Sequence, residues 1–175
     1  MKKILFFLVF LYSFSFAQMK EFPLKNEDFS AFLTNYKTPF YGEISTEKAV
    51  IQVQIEKAVK NPAKPEQYII SGYSEVEGNK SVFSGEITFT QRFNVNNQPD
   101  EMLVFADFVM KEVGSGEHSG IFTGKLRMQM AKQITQQSRA TVTFKGKWKN
   151  YSGTLDFEAW WANFVPKDIS KVVFK

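Results

Sequence analysis

One pattern constrains this chain more than any other: from Phe40 onward, apolar residues recur at every second position, in runs broken by short polar or glycine-bearing gaps. The clearest case is Tyr68 to Phe93. Along its second arm Phe83, Gly85, Ile87, Phe89, Gln91 and Phe93 fall on one side, and Ser84, Glu86, Thr88, Thr90 and Arg92 fall on the other. A period of two is the period of a half-buried β-strand. Glu77-Gly78-Asn79-Lys80, between the arms, is turn composition. The stretch therefore reads as a long hairpin.

The same pattern continues on both sides. Residues 40–45 and 49–59 come first, the latter with Ile51, Val53 and Ile55 opposite Gln52, Gln54 and Glu56. Residues 60–66, with two prolines, and 94–101 read as loops. The segment 102–113 is apolar on both faces apart from Asp107 and its charged end, which predicts a strand covered on both sides. Gly114 to Gly120 reads as a flexible turn and 131–138 as a polar loop. Ile121 to Met130, Arg139 to Lys149 and Thr154 to Phe164 again alternate, and Val172 to Phe174 offers a last short strand.

The N-terminal part differs. Residues 1–17 have Lys2 and Lys3, an apolar run from Ile4 to Tyr12, and Ser15 and Ala17 before Gln18. That is the plan of a cleaved signal peptide, with export to the periplasm or secretion as its consequence. A retained anchor would need about 20 apolar residues. Within the following segment, 18–39, Asn26 to Lys37 predicts a short helix. Phe29, Phe32, Leu33 and Tyr36 share one face, Asn26 stands as N-cap, and Pro39 stops the element. Residues 40–175 form the β domain.

Composition excludes several functions. With no cysteine there are no disulfides, thiolate metal sites, cysteine nucleophiles or lipid attachment through an N-terminal cysteine. Loss of Lys2 and Lys3 with the signal would lower the formal charge from +4 to +2. A surplus that small gives no case for nucleic acid. The 19 phenylalanines predict a large core.

About eight antiparallel strands in hairpin order are best satisfied by an up-and-down barrel, which leaves no sticky edges; the alternative is a two-sheet β-sandwich. Gly42, Gly72, Gly85, Gly124 and Gly146 lie inside strands, where glycine marks bends and bulges. Alternation leaves open which face is inside, so an eight-stranded outer-membrane barrel is a second possibility. The aromatic face of the helix and the terminal Lys175 favour the soluble form. In strand plan, residues 40–163 resemble a lipocalin-type (calycin-like) barrel. Gly146-Lys147-Trp148 is similar to the Gly-x-Trp of lipocalins and, with Asn150, to the Gly-x-Trp-x-Asn of avidin-like barrels, although it stands on the seventh strand rather than the first. The lipocalin resemblance implies a small apolar molecule or lipid bound in the lumen.

No enzymatic constellation is apparent. His118 is the single histidine, set in a turn, where a metal site would ask for three or four ligands. Neither a P-loop nor a dinucleotide fingerprint is present, and no cofactor is expected. Asp156 and Glu158 share a strand face at glycosidase-like spacing, but Lys145 and Lys147 on the neighbouring strand predict salt pairs instead. Asp107 is expected to pair with Arg127 or Arg92, or to mark a polar spot in the lumen. The expected inward aromatics Phe89, Phe105, Phe122, Phe144, Trp148, Phe157 and Trp161 are the ligand-binding candidates. So many large rings also suit a lumen that is simply filled. Two functions follow: a non-enzymatic binder with the N-terminal helix near the pocket mouth, or an interaction barrel acting through loops 60–66, 94–101 and 131–138.

Overall fold

The computed structural model describes residues 21–34, 39–135, 137–165 and 173–174. The expected signal peptide and the residues Tyr36 and Lys37 lie outside them. Eight antiparallel strands form a closed barrel: β1 (Phe40–Ile44), β2 (Ala49–Asn61), β3 (Lys64–Val76), β4 (Asn79–Val95), β5 (Gln98–Glu112), β6 (Gly120–Ala131), β7 (Ala140–Asn150) and β8 (Asp156–Ala162). Each strand pairs with the next, and β8 returns to β1 with Trp161 opposite Gly42. This is the up-and-down barrel, not the sandwich.

The apolar rows face inward. Ile51, Val53 and Ile55, Phe122, Leu126 and Met128, and Val142 and Phe144 are all buried. Lysines and carboxylates such as Lys111, Lys145, Lys149 and Glu86 stand on the exposed rows.

Strand ends differ from expectation at two places. Residues 60–66 and 94–101 are not open loops. Each is mostly strand, joined by a two-residue turn at Pro62-Ala63 and at Asn96-Asn97. Pro62 suits a turn because its φ is already set, and the side chain of Asn61 accepts the Ala63 N–H at 3.0 Å. Pro65 lies beside a register shift at Lys60/Asn61, where a missing N–H costs the ladder least. At Asn96-Asn97, Asn97 adopts φ 63°, which asparagine tolerates better than most residues. The β3–β4 turn narrows to Glu77-Gly78, with φ of 50° and 82°, as a two-residue hairpin turn of the favoured twist requires.

Two bulges reorient side chains. One near Thr90 on β4 puts Gln91 and Phe93 outside, opposite Phe105 and Leu103, so the inward row ends at Phe89. The other, at Glu56 on β2, turns the inward row from Ile55 to Ala58.

The interior glycines are not generally bulge markers. Gly124 and Gly146 face each other in regular register. A Cβ on either would overlap a carbonyl of the adjacent strand: Lys145 for Gly124, Thr123 for Gly146. They permit the close strand approach and sharp coiling that a small barrel needs. Gly72 alone adjoins a bulge, across from Ile55.

One end of the barrel is stoppered. The helix is shorter than the predicted Asn26 to Lys37: α1 covers Ser30–Leu33 only. Before it, Phe22 to Glu27 forms turns. The N-cap position falls on Phe29, not Asn26, and carries no side-chain cap bond, while Asp28 just before it accepts the Ser30 N–H at 2.9 Å. Thr34 then leaves it in extended conformation. Phe22, Phe29 and Leu33 are buried, with the Phe29 and Phe89 rings 4.6 Å apart.

Tyr68 fastens this stopper. Its hydroxyl accepts the Phe29 N–H at 2.9 Å and donates to the Glu27 carbonyl at 3.1 Å. Burial pushes the hydroxyl up to about 12 from its ordinary 10. Tyrosine ionises more readily when unfolded, so this contribution is complete below pH 10 and is lost as pH rises toward 12. Alkaline unfolding followed by circular dichroism should show a loss in that window. The Tyr68→Phe variant should lack the tyrosine share of that loss. At pH 7 it should be less stable by about 1–3 kcal/mol, because a buried N–H and a carbonyl lose their partner.

Candidate functional site: a cup at the open end

Chain direction sets the two ends apart. The connections 45–48, 77–78, 113–119 and 151–155 cluster at the end opposite the stopper. The helix therefore sits at the far end from the open mouth, not beside it as expected. Two of the three expected interaction loops prove to be tight turns at the stoppered end.

The centre of the barrel is filled. Trp161 is fully buried, with Phe144 stacked on it at 5.3 Å and 19° and Phe122 and Phe108 edge-on at 5.3 and 5.5 Å. Phe40 and Phe108 close on Phe144 from two sides. The row Gly124, Gly146 and Ala159 supplies the space these rings occupy. The Trp161 indole N–H has no hydrogen-bond partner among the described residues, so its part is packing.

Above this layer lies a cavity of about 320 Å³, at the small end of the range for ligand pockets. Ile44, Val76, Phe122, Trp148, Leu155 and Phe157 make its apolar walls. Trp148 and Phe157, directly opposite on β7 and β8, stack at 5.9 Å and 7°.

The polar feature of the cup is Glu112, whose residue is only 6% exposed. It ends β5 on the inward row that runs through Val104, Ala106, Phe108 and Met110. One oxygen, Oε2, accepts the Trp148 indole N–H at 2.8 Å and the Gly120 N–H at 3.0 Å. The other, Oε1, accepts the Ser74 hydroxyl at 2.5 Å. The Tyr151 hydroxyl donates to the Glu112 carbonyl at 2.5 Å. The carboxylate thus ties β3, β6 and β7 to β5 and fixes the Trp148 ring. Among the described residues no salt bridge reaches it.

The seven aromatic candidates separate by height. Phe122, Trp148 and Phe157 line the cup. Phe144 and Trp161 belong to the filled centre, and Phe89 to the stopper. Phe105 does not face inward: it is buried on the outside, under Phe93 at 5.7 Å. Its outward side follows from the inward row of Val104 and Ala106 on β5, and the bulge near Thr90 swings Phe93 outward to cover it. Glu112 and Ser74 were missed by reading aromatics alone. The inward parity of β5 was the signal that could have found Glu112.

The other ionic expectations resolve on the surface. Asp107 points outward and pairs with Lys125 at 2.5 Å, not with an arginine. Arg127 donates to Gln129 instead, and burial lowers its guanidinium from the ordinary value. Asp156 and Glu158 both meet Lys147, at 3.8 and 3.2 Å, and the hydrogen bond that Lys147 donates to Glu158 raises the lysine above its usual value. His118 is exposed on the rim of the cup. The described residues contain no group of three or more candidate metal ligands.

No protein-family model, curated protein or solved structure matches the chain.

Proposed function

We propose that the protein is an exported, non-enzymatic β-barrel that binds a small, largely apolar molecule at its open end. The observation that carries this reading is the contrast between the two halves of the lumen. The lower half is packed solid with rings, while the upper half keeps a cavity walled by Trp148, Phe157 and Phe122. A barrel needing only a core would gain by filling that space. Export rests on the N-terminal pattern of residues 1–17. Exposed charged rows around an apolar interior support a barrel that works in water. The lipocalin-like likeness is one of plan, and in this reading the ligand sits higher than a lumenal lipid would.

Trp148 provides the test. Calorimetric titration with the neutral probe 2-phenylethanol should give saturable binding to the purified protein. Trp148→Ala should weaken it by about tenfold or more, equivalent to about 1.4 kcal/mol. Phe89→Ala, in the stopper, should lower stability yet leave the affinity of the folded fraction unchanged. Binding that survives Trp148→Ala but is lost in Phe89→Ala would place the ligand at the wrong end.

A second reading follows from the same filled centre: an interaction barrel that acts through the rim connections around the cup. It gains if no small molecule binds while substitutions in 113–119 abolish partner capture.

A further inference from the structure

We propose that the ligand of the cup is a small amine: a cation carried on an apolar body. This rests on the cup being a ligand site, as proposed above, and adds the chemical class.

The argument begins with charge. Among the described residues three ionisable acids line the cavity, Glu112 in its wall and Glu47 and Glu77 at the exposed rim, and no lysine or arginine does. Among the described lining residues the one other titratable group is His118, on the rim. A carboxylate ligand would bring a like charge beside a buried one with nothing to offset it, which is costly. A cation meets the opposite situation.

Hydrogen bonding points the same way. A carboxylate has about four acceptor sites. Glu112 uses three, for Ser74, Gly120 and Trp148, all of them neutral donors. Among the described residues Oε1 holds a single bond where it can accept two. An ammonium donor would fill the remaining site and supply the counter-charge that the described residues do not. The apolar part of the ligand would then lie on the Trp148–Phe157 stack, whose ring faces also attract cations.

Calorimetry with three probes of one size tests this: 2-phenylethylamine, 2-phenylethanol and phenylacetate. The amine should bind at least about tenfold more tightly than the alcohol, and phenylacetate most weakly. Raising the salt concentration should narrow the difference. Glu112→Gln should bring amine and alcohol within about twofold of each other. Its amide can keep the network, with oxygen toward Gly120 and Trp148 and NH2 toward Ser74. Should that variant misfold, the exposed pair Glu47→Gln/Glu77→Gln should lower amine affinity about twofold and leave the alcohol unchanged. If all three probes bind alike, if the preference persists in folded Glu112→Gln, or if it is undiminished in the exposed pair, the amine assignment is overturned while the cup stands. If none binds, the cup itself is overturned, and the amine with it.

Discussion

Gly146→Val is expected to leave the protein without a closed barrel: little soluble product, and no cooperative melt in what is recovered. The cause is backbone, not side chain. A Cβ at position 146 would overlap the Thr123 carbonyl and crowd Gly124, which pairs directly across from it. Neither group can retreat without breaking the β6–β7 ladder in mid-strand. Overpacking a core site typically costs about 1–3 kcal/mol, and an overlap with fixed backbone belongs above that range, where single substitutions approach the whole stability of a domain. Gly146→Ala should show the same direction with a smaller loss. Gly116→Ala is the matched control, since nothing lies within 4 Å of its Cβ. Its melting curve should stay within about 0.5 kcal/mol of the parent.

The second large effect is expected from Trp161→Ala, at about 3–5 kcal/mol by denaturant titration. Trp161 contacts Phe108, Phe122 and Phe144 with ring centroids 5.3–5.5 Å away, and all three are themselves buried. Those rings stand on the adjacent strands β5, β6 and β7, whose mutual ladders fix their backbones, so they cannot collapse fully into the space. Collapse is what would soften the loss, and its absence puts the cost at the high end. Trp148→Ala separates the two roles of the aromatics. It should cost less stability than Trp161→Ala, because the cavity beside it is already open, and more binding. A protein in which these two variants behaved alike would have no functional division between centre and cup.

Much of the barrel was legible from the chain because strand parity is a local property. In β6, β7 and β8 the inward residues Phe122, Leu126, Phe144, Trp148, Phe157 and Trp161 are those the alternation marks. Parity fails where a bulge intervenes. An extra residue near Thr90 moves Phe93 to the outside, and on β5, apolar on both faces, nothing local distinguishes Phe105 from its inward neighbours. The helix was overextended for a related reason. The periodicity marks the packed side of Phe29, Phe32 and Leu33, but the turns at Phe22 to Glu27 and the Asp28 to Ser30 contact depend on where the stopper meets Tyr68, which is a tertiary matter. Residues 60–66 and 94–101 show the same limit: prolines and asparagines mark a reversal without giving its length.

The candidate site was less legible than the fold. Aromatic content identified Trp148, Phe157 and Phe122, yet it also selected residues of the centre and the stopper, since ring packing and ligand lining use the same side chains. What separates them is height along the barrel, set by pairing register. Glu112 looked like the charged end of a strand. Only closure of the barrel brings Ser74, Gly120 and Trp148 around it and turns a strand end into the polar point of a cavity.

The most direct test of a filled centre beneath a binding cup is a nitrogen-15 NMR titration with 2-phenylethylamine, read at the three indole N–H signals. Trp148 lies in the cup, Trp161 in the centre, and Trp160 outside, where its N–H reaches Glu43 at 3.3 Å. Each signal is assigned from a Trp→Phe variant. The expected result is a saturable shift of the Trp148 signal, with Trp160 and Trp161 nearly still. A titration that moves Trp161, or leaves all three unmoved, would contradict it.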